Sequence, residues 1–98
     1  MNLTGKQKRY LRALGTNERP IVTVGKEGLS YNLIDSASKA LEARELVKVS
    51  VLKSFDGDMD TLAFDLAMHT KSIVAQQIGR MILLYKPARE PKILLPWK

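Results

Sequence analysis

The residues with the clearest chemical potential are Gly25-Lys26-Glu27-Gly28, followed at once by Leu29-Ser30. A β-branched run, Ile21-Val22-Thr23-Val24, stops at this Gly-x-x-Gly sequence, and an amphipathic helical pattern begins straight after it. Glycines let a backbone approach a ligand closely. A helix start offers free N–H groups, which suit an anion such as a nucleic-acid phosphate. Lys26 adds positive charge between the glycines. Glu27 does the opposite, so its side chain is expected to turn away from a bound phosphate. Four residues in isolation read more readily as a tight turn. Glycine pairs clamp RNA backbones in KH domains, but there the loop joins two helices rather than a strand and a helix.

Charge gives the loop a context. The 98 residues carry a formal net charge of +6. Its distribution is uneven: +4 over residues 1–12 (Lys6, Lys8, Arg9, Arg12), −4 over residues 56–70, and +5 over residues 71–98. Such asymmetry favours a polyanionic partner, although an ordinary solvated basic surface has the same composition.

Other chemistries find little support. Cysteine is absent, which excludes disulfides and thiolate sites. His69 is the single histidine, with no second His for a zinc set and no nucleophile–base pair. Asp56-Gly57-Asp58-Met59-Asp60 resembles the start of a calcium loop. It fails because Thr61 stands where glycine is required and Ala67 where the bidentate Glu belongs. No P-loop or dinucleotide fingerprint is present. A non-enzymatic protein without cofactor or metal is therefore expected. Tyr31, Tyr85 and Trp97 could stack on bases, or simply pack.

The elements that must position these residues follow from periodicity. Thr4 and Gln7 form a capping box for a helix from about Gly5 to Leu14, with Leu3, Tyr10, Leu11 and Leu14 near one face. Ile21 to Val24 reads as a strand. Ser30 caps a helix striped by Leu33, Ile34, Ala37, Ala40 and Leu41 and running to about Ala43. Leu46 to Leu52 alternates as a second strand, completing a βαβ unit with parallel strands. Asp58 or Asp60 caps a third helix with Leu62, Ala63, Leu66 and Ala67 buried and His69 near its end. Ser72 to Ile78 and Met81 to Lys86 form a hairpin turned at Gly79-Arg80. Residues 87–98 read as an irregular tail whose apolar end, Ile93 to Trp97, is expected to fold back. The expected fold class is α/β, in the order α-β-α-β-α-β-β, with a four-stranded mixed sheet in one domain, 1–98. The longest apolar run, Met81 to Tyr85, is far short of the roughly 20 residues that span a bilayer. The N-terminus lacks the apolar stretch of a signal peptide. A cytoplasmic protein without membrane contact is expected, as a monomer.

Several stretches together resemble the CRM domain (chloroplast RNA splicing and ribosome maturation) in its stand-alone bacterial YhbY-like form. They are Leu3-Thr4-Gly5-Lys6-Gln7-Lys8-Arg9-Tyr10-Leu11, Val24-Gly25-Lys26-Glu27-Gly28-Leu29, Ala43-Arg44-Glu45-Leu46-Val47-Lys48-Val49, Gln77-Ile78-Gly79-Arg80 and Leu83-Leu84-Tyr85-Lys86. The resemblance implies a fold like the C-terminal domain of bacterial translation initiation factor three, preceded by an extra helix. It also implies RNA binding through the glycine loop and the basic surface near it, and association with ribosomal RNA in precursors of the large ribosomal subunit. The family often has a neutral polar residue where this chain has Glu27. The expected RNA-binding set is Gly25, Lys26, Glu27, Gly28 and Ser30 in the loop, with Lys6, Lys8, Arg9, Arg12, Arg44 and Lys48 around it. Arg80 and Lys86 are secondary candidates. The competing expectation is a protein-interaction module that docks on ribosomal proteins through its apolar C-terminal tail.

Overall fold

A computed structural model describes residues 3–96. Three helices, α1 (Gly5–Gly15), α2 (Tyr31–Arg44) and α3 (Met59–Thr70), alternate with four strands. The strands are β1 (Pro20–Val24), β2 (Leu46–Val51), β3 (Ile73–Ile78) and β4 (Met81–Tyr85). The sheet order is β1-β2-β4-β3. β1 and β2 are parallel, and β4 is antiparallel to both β2 and β3. The mixed α/β architecture expected from periodicity is thus the observed one.

Strand alternation divides the core in two. Val22, Val24, Val47, Val49, Val51, Ile82 and Leu84 face α2 and α3, where Ala37, Leu41, Leu62, Ala63 and Leu66 close the layer. Leu46, Ala75, Leu83 and Tyr85 point the other way, against Leu11 of α1. The tail completes this second cluster through Ile93 and Leu95. Burying these apolar side chains supplies the main drive for folding.

The caps are those the sequence predicts. Thr4 Oγ1 accepts from the Gln7 N–H at 3.1 Å, and Gln7 Oε1 accepts from the Thr4 N–H at 3.0 Å. Asp58 Oδ2 accepts from both the N–H and the hydroxyl of Thr61 at 2.8 Å. These bonds favour the ionised carboxylate and hold the Asp58 pKa below its usual 3.8.

The buried stripe of α1 differs from expectation. Leu3, Gln7, Leu11 and Gly15 face inward, whereas Tyr10 and Leu14 are exposed. The spacing of four selects the first set. Tyr10 lies about 100° away around the helix. Gly15 belongs to the inward stripe because a Cβ there would stand 2.7 Å from Leu83.

The tail is held by a residue that periodicity does not single out. Glu45 caps α2 with φ 65° and is 1% exposed. Its carboxylate accepts from the N–H groups of Lys92 (2.6 Å), Ile93 (3.2 Å) and Ala88 (3.2 Å). Its backbone carbonyl accepts from the Lys86 N–H at 2.8 Å. Gln7 Nε2 adds a bond to the Pro96 carbonyl at 3.2 Å. Nearby Tyr85 is buried, and desolvation with the Glu45 charge raises its pKa.

Candidate nucleic-acid interface

The glycine loop occupies a corner of the molecule, because β1 is an edge strand and the loop follows its last residue. The Gly28 N–H donates to the Gly25 carbonyl at 3.0 Å and closes the turn. That N–H is therefore unavailable to a ligand. Gly28 has φ +75°, and a Cβ on it would stand 3.0 Å from the Phe55 ring. Gly25 faces open space, with nothing within 4 Å of an added Cβ. The two glycines thus do different work: Gly28 is required by the turn and by Phe55, while Gly25 leaves room for an approaching group.

Ser30 caps α2, its Oγ accepting from the Leu33 N–H at 3.1 Å. This leaves the N–H groups of Tyr31 and Asn32 without an intrahelical acceptor, in a first turn that holds no acid. Both features suit an anion. Tyr31, the first residue of α2, is 84% exposed and stands beside this helix start. Lys26 is exposed at the tip of the turn.

Two neighbouring loops share this end of the sheet. The Leu52 N–H donates to the Val24 carbonyl at 2.8 Å, which ties the β2–α3 connection to the loop and brings exposed Lys53 alongside. Spacing alone gave Lys53 no role; only the β1–β2 pairing places it here. Arg80 in the β3–β4 turn donates from one guanidinium nitrogen to the carbonyls of Leu52 (2.9 Å) and Phe55 (3.0 Å). It braces the loop that carries Phe55.

The α1 cations form a separate region. Lys6, Lys8, Arg9 and Arg12 are all exposed, and α1 contains no acid. The single ion pair among the described residues is Lys39–Asp35 at 3.0 Å, so none of these four is neutralised by an ion pair. Lys48 lies on the same side of the sheet as α1. It lines a groove of about 300 Å³ with Thr16, Gln76, Ile78, Met81 and Leu83.

Arg44 and Lys86 are elsewhere. Arg44 ends α2, about 20 Å along the helix from the loop. Lys86 follows β4 beside Pro87 and Ala88, at the sheet end where its N–H meets Glu45. The structure therefore gathers Gly25, Lys26 and Ser30 with Tyr31 and Lys53 at one corner. It sets the α1 cations with Lys48 on one sheet face and leaves Arg44 and Lys86 apart from the loop.

Glu27 is exposed and borders α3. It lines a groove of about 340 Å³ with Gly28, Leu29, Phe55, Asp58, Leu62 and Asp65. Of the aromatic stacking candidates, Tyr85 is buried in the core and Trp97 lies outside the described residues. Among the described residues, no three His, Asp or Glu side chains are placed to share a metal ion, and no helix is long and apolar enough to cross a membrane.

A small α/β domain with a glycine-loop corner and a basic accessory helix defines a class, and the comparisons give it a family. The CRS1 / YhbY (CRM) domain profile matches residues 3–86, and the chain belongs to that family. It is 47% identical over 90 residues to the probable RNA-binding protein YqeI of Bacillus subtilis, covering 92% of this chain and 94% of that protein. An RNA-binding protein of Haemophilus influenzae is 33% identical over 96 residues, covering 98% and 97%. The solution structure of the hypothetical protein SAV1595 from Staphylococcus aureus superposes with a TM-score of 0.82 at 45% identity, covering 97% of this chain and all of that one.

Proposed function

We propose that this protein binds RNA without catalysing a reaction on it, and that its target is ribosomal RNA in precursors of the large ribosomal subunit. The observation that carries the reading is α1: four exposed cations, no acid in the helix and, among the described residues, no ion pair to neutralise them. Phosphates that contact such a surface release counterions, which drives association. The loop corner adds a second kind of contact, from the free N–H groups at the start of α2, Lys26 and an exposed aromatic ring. Relatives that align over nearly their whole length are named as RNA-binding proteins, which supports the same reading. Cytoplasmic action as a monomer is part of the proposal.

Structured RNA is then recognised largely through its backbone and shape. Docking through the apolar tail has less support, because Ile93 and Leu95 pack on the protein's own core and Glu45 holds the tail backbone. Crosslinking the protein to RNA in cells and sequencing the attached fragments tests the target. Enrichment of large-subunit ribosomal RNA is expected; enrichment of messenger RNA alone would overturn the ribosomal assignment.

A further inference from the structure

The side of the molecule beyond the glycine loop has the opposite chemistry. Residues 56–70 carry four aspartates and no lysine or arginine, in a chain whose net charge is +6. The groove between the loop and α3 is lined by Glu27, Asp58 and Asp65 together with Leu29, Phe55 and Leu62, and of the three acids Asp58 is engaged as the α3 cap. Phosphate is repelled from such a groove. Among the described residues these acids do not form a group that could hold a metal ion. Acidic and apolar residues lining one groove suit instead a cation with an apolar stem, as lysine and arginine side chains have.

The adjoining surface of α3 is apolar where solvent would favour polar residues. Phe64 is 63% exposed and Met68 is 56% exposed, one helical turn apart. Both lie opposite the buried stripe of Leu62, Ala63 and Leu66, flanked by Asp60 and Asp65. Exposed large apolar side chains in a cluster mark contact surfaces, and methionine adapts to varied partners.

We propose that this face docks a basic segment of a partner protein. A lysine or arginine enters the groove between Glu27 and Asp65, and a neighbouring apolar side chain covers Phe64 and Met68. The occupant is argued from charge: a basic peptide is attracted here and repelled from α1, whereas RNA has the reverse preference. The protein then joins a nucleic acid on one side to a basic protein on the other.

The test uses the full chain and a ten-residue peptide of alternating arginine and leucine, with an arginine–serine peptide of equal charge as control. Binding is followed by NMR and by fluorescence anisotropy. Shifts are expected at Glu27, Phe64, Asp65 and Met68, with the arginine–leucine peptide binding at least about fivefold more tightly. The triple variant Asp65→Asn, Phe64→Ala, Met68→Ala alters exposed or half-exposed positions. It is expected to lose about tenfold in peptide affinity while its affinity for an RNA transcript stays within twofold. Unchanged peptide affinity in this variant, or shifts centred elsewhere, would overturn the proposal. So would concentration-dependent self-association lost in the same variant, which would make the occupant a second copy of the chain. RNA affinity measured on the same samples separates failure of this inference from failure of the RNA-binding reading.

Discussion

The glycine loop and α1 are built on different principles, although both belong to the proposed RNA surface. The loop is a geometric device. Its turn is closed by the Gly28 to Gly25 bond, packed on Phe55 and braced by Arg80, but it carries one cation and one acid at its tip. The helix is an electrostatic device: four exposed cations on a frame anchored by Leu11 and Gly15. Under the proposed function this difference becomes a division of labour, which we propose: α1 supplies most of the affinity and the loop fixes where the backbone sits.

The largest effect is expected from breaking the frame that α1 shares with the tail. Glu45→Ala removes the acceptor of three backbone N–H groups in a buried site and should cost about 3 kcal/mol of stability. Urea denaturation checks this, and a loss below about 1 kcal/mol would mean that the tail is not held by this carboxylate.

The glycines sharpen the comparison next. Gly28→Val places a β-branched residue at φ +75° against Phe55 and should cost about 2 kcal/mol. Weakened RNA binding in that variant therefore mixes folding with contact. Gly25→Ala is the cleaner probe. Its stability should stay within about 0.5 kcal/mol, while any steric block to the RNA backbone appears in affinity alone. Equal destabilisation by the two variants would contradict the assignment of separate roles.

Tyr31→Ala tests whether the corner also stacks. With the ring 84% exposed, stability should not change. RNA affinity should fall about fivefold, from the loss of roughly 1 kcal/mol of stacking. An unchanged affinity would leave the corner with its backbone N–H groups and Lys26 as contacts.

The smallest effect concerns the acidic side. Asp58 has a folded-state pKa below its ordinary value, so its contribution to stability is present above that value and lost as pH falls through the folded pKa. The gap in melting temperature between the wild type and Asp58→Asn should therefore be larger at pH 7 than at pH 2. A gap independent of pH would show that the charge on this cap is immaterial.

Much of the frame was legible in the sequence because local chemistry sets it. The Thr4–Gln7 box, the Ser30 and Asp58 caps and the alternation of Val47, Val49 and Val51 each rest on neighbours a few residues away. What was not legible depends on long-range contact. The inward face of α1 is chosen by Gly15 against Leu83, so Tyr10 and Leu14 are left outside. Glu45 shows its role only when residues 88–93 fold back onto it. The candidate site was half legible for the same reason. Cations near one another in sequence, as in α1, share a helix. Arg44 and Lys86 needed the fold to separate them from the loop, and Lys53 needed the β1–β2 pairing to join it.

The central claim, that α1 supplies most of the RNA affinity, is tested most directly by a salt titration. RNA affinity is measured between about 50 and 200 mM salt for the wild type and for a variant with Lys6, Lys8, Arg9 and Arg12 all changed to Ala. Loss of four phosphate contacts should lower the slope of log affinity against log salt by about 3 and weaken binding at the lower salt by at least about 100-fold. An unchanged slope with wild-type affinity would remove α1 from the RNA surface and contradict the account.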